Sequence, residues 1–337
     1  MAAPEVELED AVFVRGRSTY ARPTSIHHWQ LRDLISAGEG EDEFLCVHHQ
    51  RLYAYNAARR QSAAISSLEF AANSMTARHG FLAAGGLHGE LEVRDLAGGN
   101  ALCFKGCVGS TVNNALHIAK HSDGEARLFV CCNDSSIKVF RLPSMDGVTV
   151  VRCPCPINYA ALSPDGAYLV AVGDCEPTLL YQATPTGYTL LSSFTEAVDV
   201  GMCAAWNAHG SLLASCHQDG TVAVWEQRSG ACVARLALHT AARCLKFSAP
   251  PLDLLAVSEH EERVSLVDAR RWDRRQVLRL SGASPGASPG RGGRALDVSG
   301  LAFSPSGARL WVGLEECVMG YDVDSLTRRT FGTADIL

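Results

Sequence analysis

The chain has 337 residues, of which 47% are hydrophobic and 20% charged, the balance of a folded globular protein and not of a disordered one. A net charge of −6 supplies no overall attraction to nucleic acid or to an anionic membrane, and no apolar run is long enough to span a bilayer. The opening MAAPEVELED has early acids and neither the apolar segment of a secretory signal nor the arginines of a transit peptide, so the expected compartment is cytoplasm, nucleus or both.

Taken in chain order, residues 1–24 read as an N-terminal extension, partly disordered, and 25–337 as one domain built from a repeated phrase. In each phrase a turn separates two short apolar runs, and the second run closes on an apolar or long residue followed by a polar one. The closing pairs are Tyr55-Asn56, Arg94-Asp95, Phe140-Arg141, Tyr181-Gln182, Trp225-Glu226, Val267-Asp268 and Tyr321-Asp322. They recur at intervals of 39, 46, 41, 44, 42 and 54 residues, the last containing the Gly/Ser/Pro/Arg stretch 281–294, whose composition predicts a flexible loop. A period of about 40 to 45 with four strand-like segments marks a propeller blade. One four-stranded blade cannot bury both of its apolar faces, so blades stack and share cores.

The expected fold is therefore all-β, a seven-bladed β-propeller of four-stranded antiparallel blades near 25–65, 66–105, 110–152, 156–195, 200–238, 241–281 and 298–335. An open ring would leave two sheet edges unpaired. Two closures are compatible with the sequence: Ala11 to Val14 joins the last blade as its outer strand, or the C-terminal RRTFGTADIL completes that blade alone, the second being preferred.

The phrases LSPDGAYLVAVG (162–173), AAWNAHGSLLASCHQDGTVAVWE (204–226) and LAFSPSGARLWVG (301–313) resemble WD40 repeat proteins, over roughly residues 25–331. FLAAGGLHGEL (81–91), PINYAALSPDGAYLVAVGD (156–174) and PLDLLAVSEHEERVSLVDAR (251–270) resemble an uncharacterised WD40 family of plants and fungi. The resemblance implies a buried His, Ser, Asp and Trp tetrad in each blade. The fifth blade alone supplies Ser215, Asp219 and Trp225 together, and the sixth offers His239, Ser258 and Glu262 without the Trp, so apolar packing is expected to hold most blades.

No G-x-S-x-G, P-loop, H-E-x-x-H or dinucleotide motif stands in a matching context, and the chain is read as a non-enzyme without a cofactor. The thirteen cysteines, an odd number in a large chain without a signal peptide, are read as buried thiols serving as small apolar residues, as at Cys46, Cys131, Cys132, Cys203 and Cys244. Cys103 with Cys107 and Cys153 with Cys155 lack both zinc-site spacing and a matching His pair, so no metal is expected.

Function is expected in the loops. The turns between second and third strands carry Asp134, Asp174, Asp219, Glu261, Glu262, Glu315 and Glu316, with His88, His217 and His260. Acids favour turns for their own sake, but these turns share one face, where a basic or free-amine peptide segment finds complementary potential. Arginines gather on the opposite rim at Arg59, Arg60, Arg228, Arg270, Arg271, Arg274 and Arg275. Within that rim, VDAR (267–270) resembles the W-D-x-R box through which some WD40 proteins dock on ubiquitin ligases, which marks Asp268 and Arg270; simple capping of the turn is the alternative. The leading reading is a scaffold for other proteins or peptides, monomeric by itself and without nucleic acid or membrane partners. A ubiquitin-ligase substrate receptor that recognises a peptide or chain terminus comes second, and a propeller enzyme third.

Overall fold

The structure, a computed structural model, describes residues 9–147, 149–280 and 296–326. Seven antiparallel blades follow one another at 35–67, 72–107, 113–152, 157–194, 201–237, 242–279 and 298–323, the last taking its fourth strand from Val14–Tyr20. The first strand of each blade touches the first strand of the next, and Val298–Phe303 of the last touches Ile35–Ala37 of the first, so the ring is closed. Every residue used above to align the repeats falls on the third strand of its blade. The fold is a seven-bladed β-propeller.

Second and third strands supply the cores. Leu82, Val93, Phe129, Val170, Val224, Leu255 and Val312 are fully buried, in blocks that run between adjacent blades. The turn after Leu212–His217 requires a left-handed residue, and Gly220 (φ 82°) fills it where a Cβ would sit 3.0 Å from the Thr240 carbonyl oxygen. Trp225 is 2% exposed and stacks on Phe194 with ring centroids 5.4 Å apart.

The inner strands share an irregularity. In six of them the pairing with the second strand shifts after the first residue, leaving a bulge at Asn73, Asn114, Asn158, Met202, Arg243 and Ser299. Asn73, Asn114 and Asn158 donate from Nδ2 to the carbonyls of Asn113, Ile157 and Gly201 at 3.1, 2.9 and 3.0 Å. Each acceptor is the first residue of the next inner strand, so these amides staple blades 2 to 5 in series.

Ring closure corrects the preferred expectation. Val14–Tyr20 pairs antiparallel with Val318–Val323, from Val14↔Val323 to Tyr20↔Val318, and so occupies the outer position that RRTFGTADIL was expected to take; that segment lies outside the described residues, as does the stretch 281–294. The propeller thus begins at Val14, and residues 14–24 are part of it and not an extension. Only the ends of VRGRSTY are buried, which is why no strand pattern shows there. Tyr20, 6% exposed, lies 5.6 Å from Tyr55, 5.8 Å from Trp311 and 6.2 Å from Phe44, sealing the junction of last and first blades. Glu9–Asp10 adds a short parallel pairing to Arg274 and Arg275 at the edge of blade 6.

The thiol reading is also corrected: Cys155 and Cys175 are disulfide-bonded, joining the connection into blade 4 to the start of that blade's third strand, just after its turn. The two cysteines are 20 residues apart in sequence, and only the fold shows that the turn returns beside the connection. Eleven other cysteines are free.

Removal of residues 1–20 is expected to expose the edge of Val318–Val323 together with Trp311 and Phe44. Size-exclusion chromatography should find aggregate where the full chain runs as monomer; a stable truncated monomer would refute this closure. Trp225→Ala is expected to cost about 3 to 5 kcal/mol, measured by urea denaturation.

Candidate functional site

The connection that leaves the closure strand, residues 21–34, crosses the mouth of the central channel. Thr24 Oγ1 donates at 2.8 Å to the Leu314 carbonyl and lies 2.7 Å from Ser299 Oγ, which fixes the start of the segment on blade 7. At its far end Asp33 accepts from Lys246 Nζ of blade 6 at 3.2 Å, and the same ammonium donates to Tyr159 Oη of blade 4 at 3.0 Å. Burial opposes the charge on Lys246, but Asp33 outweighs it and holds the ammonium well above its usual pKa. The segment is thereby tied across the axis to opposite sides of the ring.

Two recesses lie among the turns and connections of the blades, the smaller lined in part by this segment. One, of about 380 Å³, is lined by His28, Trp29, Arg32, His260, Asp297 and Glu315, among others. The other, of about 470 Å³, is lined by Asp174, Cys175, Glu176, Val198 and Asp199, among others. Trp29 and Val198 are 69% and 81% exposed, unusual for large apolar side chains that gain by burial.

Arg32, which lines the smaller recess, and Arg243, in contact with His260 of its lining, are each 5% exposed. Arg32 donates from Nη1 to the carbonyls of His28 and Leu31, and its Nη2 lies 3.9 Å from Asp297 Oδ1. Its Nε is shielded from solvent and has no hydrogen-bond partner among the described residues, and the same holds for Asp297 Oδ1. Arg243 sits at the bulge position that Asn fills in blades 2 to 4, and its longer side chain reaches Gln218 Oε1 and, at 3.4 Å, His260 Nδ1. Burial lowers the pKa of both guanidiniums, and also those of His28 and His260, where Arg32 and Arg243 add repulsion. Both effects favour the neutral imidazoles at pH 7. Ligand atoms of His260, Glu261 and Asp297 lie within 4.8 Å of one another. That trio can hold a cation chemically, but two guanidiniums nearby oppose one.

The acidic face is divided. Asp174 lines the larger recess and accepts from Asn158 Nδ2 at 3.0 Å, while Glu315 and Glu261 belong to the smaller recess and its rim. Glu262, partly buried, holds the turn in a left-handed conformation (φ 56°), and Glu316 is exposed beside Glu315. Asp134 is paired to Lys138 at 2.9 Å on blade 3, and His88 is exposed on blade 2; neither lines a recess. Asp219 accepts from the N–H groups of Val198 and Thr221, holding the connection that carries Val198.

His217 corrects the expectation: at 1% exposure it is internal, with Nε2 2.7 Å from Ser215 Oγ, which also accepts from Thr178 Oγ1 at 2.9 Å. It points inward because the register of Leu212–His217 places it on the same side as Ser215. Ser215, Asp219 and Trp225 thus share a blade but serve three separate contacts, and His217 supplies the imidazole that the preceding loop lacks.

At the opposite rim Asp268, 5% exposed, accepts from the Arg270 N–H at 3.0 Å, and Arg270 binds Asp253 Oδ2 at 2.9 Å and the Pro251 carbonyl. Arg271 pairs with Asp273 at 3.0 Å. These contacts are those of a capped turn. Sequence reasoning missed His27, His28, Trp29, Arg32, Arg243, Asp199 and Asp297. The first four lie in what was read as the entrance to blade 1, and only the closure strand turns that stretch into a loop over the channel.

Residues 188–226 match the WD domain, G-beta repeat family, and residues 240–279 match an uncharacterised protein domain, DUF2415. An uncharacterised protein of Schizosaccharomyces pombe is 25% identical over 327 residues, covering 92% of each chain. An uncharacterised protein of Saccharomyces cerevisiae is 25% identical over 214 residues, 51% of this chain and 29% of its own length. Among solved structures, a chain in the crystal structure of the mitotic checkpoint complex superposes with a TM-score of 0.73 at 15% identity, covering 96% of this chain and 97% of that one, a likeness of fold. The matched repeat and the seven blades together make the fold a WD40-type propeller.

His117, in the channel wall, has its pKa pushed down to about 3 by burial and then by Arg78, Lys246 and His79, and burial also lowers that of His217. Between the unfolded value of about 6.5 and these lower folded values the unfolded chain binds more protons, so stability falls as pH drops. Melting temperature should decline on acidification from pH 7 to pH 4.5, and His117→Gln should flatten the decline. Parallel curves for the two proteins would contradict it.

Proposed function

We propose that this chain is a non-enzymatic interaction module whose channel-mouth face receives a basic or amine-bearing peptide segment. Protein interaction is the general role that a WD40-type propeller supports, and a chain of similar fold is found in the mitotic checkpoint complex. The finer reading rests on one observation: each of two recesses carries carboxylates and one exposed apolar side chain, Asp174 and Asp199 with Val198 in one, Asp297 and Glu315 with Trp29 in the other. An ammonium finds acceptors at Asp297 and Glu315, and apolar side chains find Trp29 and Val198. Each acceptor lies within two residues of a paired strand, which limits the ordering cost left to the protein. Docking on a ligase through Asp268 and Arg270 gains no support from a turn in which both groups are already engaged.

The test is binding of the full-length chain to an array of peptides differing in terminal amine and basic content, beside a variant carrying Trp29→Ala, Asp297→Asn and Glu315→Gln. Amine-bearing peptides should bind the parent and lose about tenfold or more in affinity for the variant, with unchanged melting temperature. Equal binding by both proteins would overturn the site.

A further inference from the structure

The disulfide stands where the larger recess is built. Cys155 is 7% exposed and lies between Pro154 and Pro156, whose rings stiffen the connection into blade 4. Cys175 is half-buried, lines the recess and is flanked by the exposed carboxylates Asp174 and Glu176. One wall of the recess is therefore bonded to a stiff segment, while Cys175 keeps part of its surface open to solvent.

The stretch that carries Cys175 has little else to hold it. Five other blades reverse between second and third strands through a residue with a left-handed backbone: His49, Gly89, Ser135, Gly220 or Glu262. In blade 4 the second strand ends at Gly173 and the third begins at Cys175, and no residue from 173 to 176 adopts that conformation. Asp174 donates its N–H to the Pro156 carbonyl at 2.9 Å and accepts from Asn158 at 3.0 Å. After it, Gly173↔Cys175 is followed by a break in register, and pairing with the outer strand starts only at Thr178. Pro177 has no N–H to give, and the Glu176 side chain makes no hydrogen bond or ion pair among the described residues. Residues 175–177 thus owe their place mainly to the covalent bond. The ring itself is held by apolar cores and by Val14–Tyr20, so opening the bond is a local event.

We infer that the Cys155–Cys175 bond is a redox clasp on the larger recess: a dithiol reductant opens it, and the opened recess binds its amine-bearing peptide less tightly. For its ligand the clasp rests on the peptide reading above. A thiolate of the reductant attacks the Cys175 sulfur, the S–S bond breaks, and the electron pair leaves on Cys155, which takes up a proton. The second thiolate of the reductant then attacks its own sulfur in the mixed disulfide and releases Cys175, which is protonated in turn. Two cysteine sulfurs are reduced, two reductant sulfurs become a disulfide, and the two thiol protons pass to the cysteines. Partly exposed disulfides are the ones that exchange in this way. Asp174 and Glu176 repel an anionic thiol, so a neutral or cationic reductant is favoured. With the bond open, residues 174–177 must be ordered as the peptide binds, a cost that the clasped recess has already met.

Alkylation under denaturing conditions reads the bond: eleven of the thirteen cysteines should be labelled in the untreated full-length chain and all thirteen after dithiothreitol. Isothermal titration with a peptide that carries a free terminal amine and basic residues should then give about threefold to tenfold weaker binding after reduction, restored on reoxidation. Cys175→Ser should start at the reduced affinity and ignore dithiothreitol, while Cys153→Ser should respond as the parent does. Hydrogen exchange of the parent needs neither peptide nor variant: reduction should speed exchange of the backbone amides in 174–178 and leave the other blades unchanged. A peptide that binds neither form while exchange still responds would refute the peptide reading and leave the clasp standing. Thirteen labelled cysteines before reduction, equal affinity in the two redox states, or unchanged exchange would each overturn the clasp.

Discussion

The pairing of Val14–Tyr20 with Val318–Val323 is the contact on which everything else depends, because it makes a ring out of a row of blades. A linear stack ends in two unpaired edges and two apolar faces. Closing it with a strand from the opposite end of the chain removes both, and makes the first and last residues of the fold mutually dependent. Tyr20 concentrates the gain, since its ring meets Phe44, Tyr55 and Trp311 from the two blades that would otherwise part. Aromatic edges and faces at such distances add attraction beyond simple area burial.

Closure also builds the mouth. A chain that has just completed blade 7 on the outside must cross to the axis to begin blade 1, and the crossing segment carries His28, Trp29 and Arg32 over the channel. Asp33 ends the crossing by binding Lys246, so one ion pair holds a loop and spans the ring. The bulge in the inner strands contributes the rest. Where it holds Asn, the side chain reaches the neighbouring backbone and reinforces the ring; where it holds Arg243, the same geometry delivers a guanidinium to His260 of the smaller recess.

The repeat was legible because blades impose a period. Tyr55, Trp225 and Tyr321 mark third strands even though their blades share little sequence, since each must close a buried run before a polar turn. Val14–Tyr20 was not legible, because an outermost strand buries only its ends and shows no alternation. The acidic turns were found by composition, and Asp174, Glu261 and Glu315 do face the recesses or their rim. His217 was misplaced for a local reason: it ends a strand, and one residue decides whether a side chain belongs to the turn or to the blade interior. Arg32 and Asp297 belong to connections around the axis, whose convergence depends on ring geometry and leaves no local pattern.

The molecule is polarised along its axis in a way that net charge conceals. At the mouth, the buried Arg32 guanidinium lies with the half-buried carboxylates of Asp297 and Glu315 in one recess. At the other end of the inner strands stand the exposed cations Arg78 and Lys120. Asp33 and Lys246 lie between the two ends and cancel each other. A neutral pair at mid-channel separates the fields, because opposite charges in contact present little beyond a dipole to groups several ångströms away.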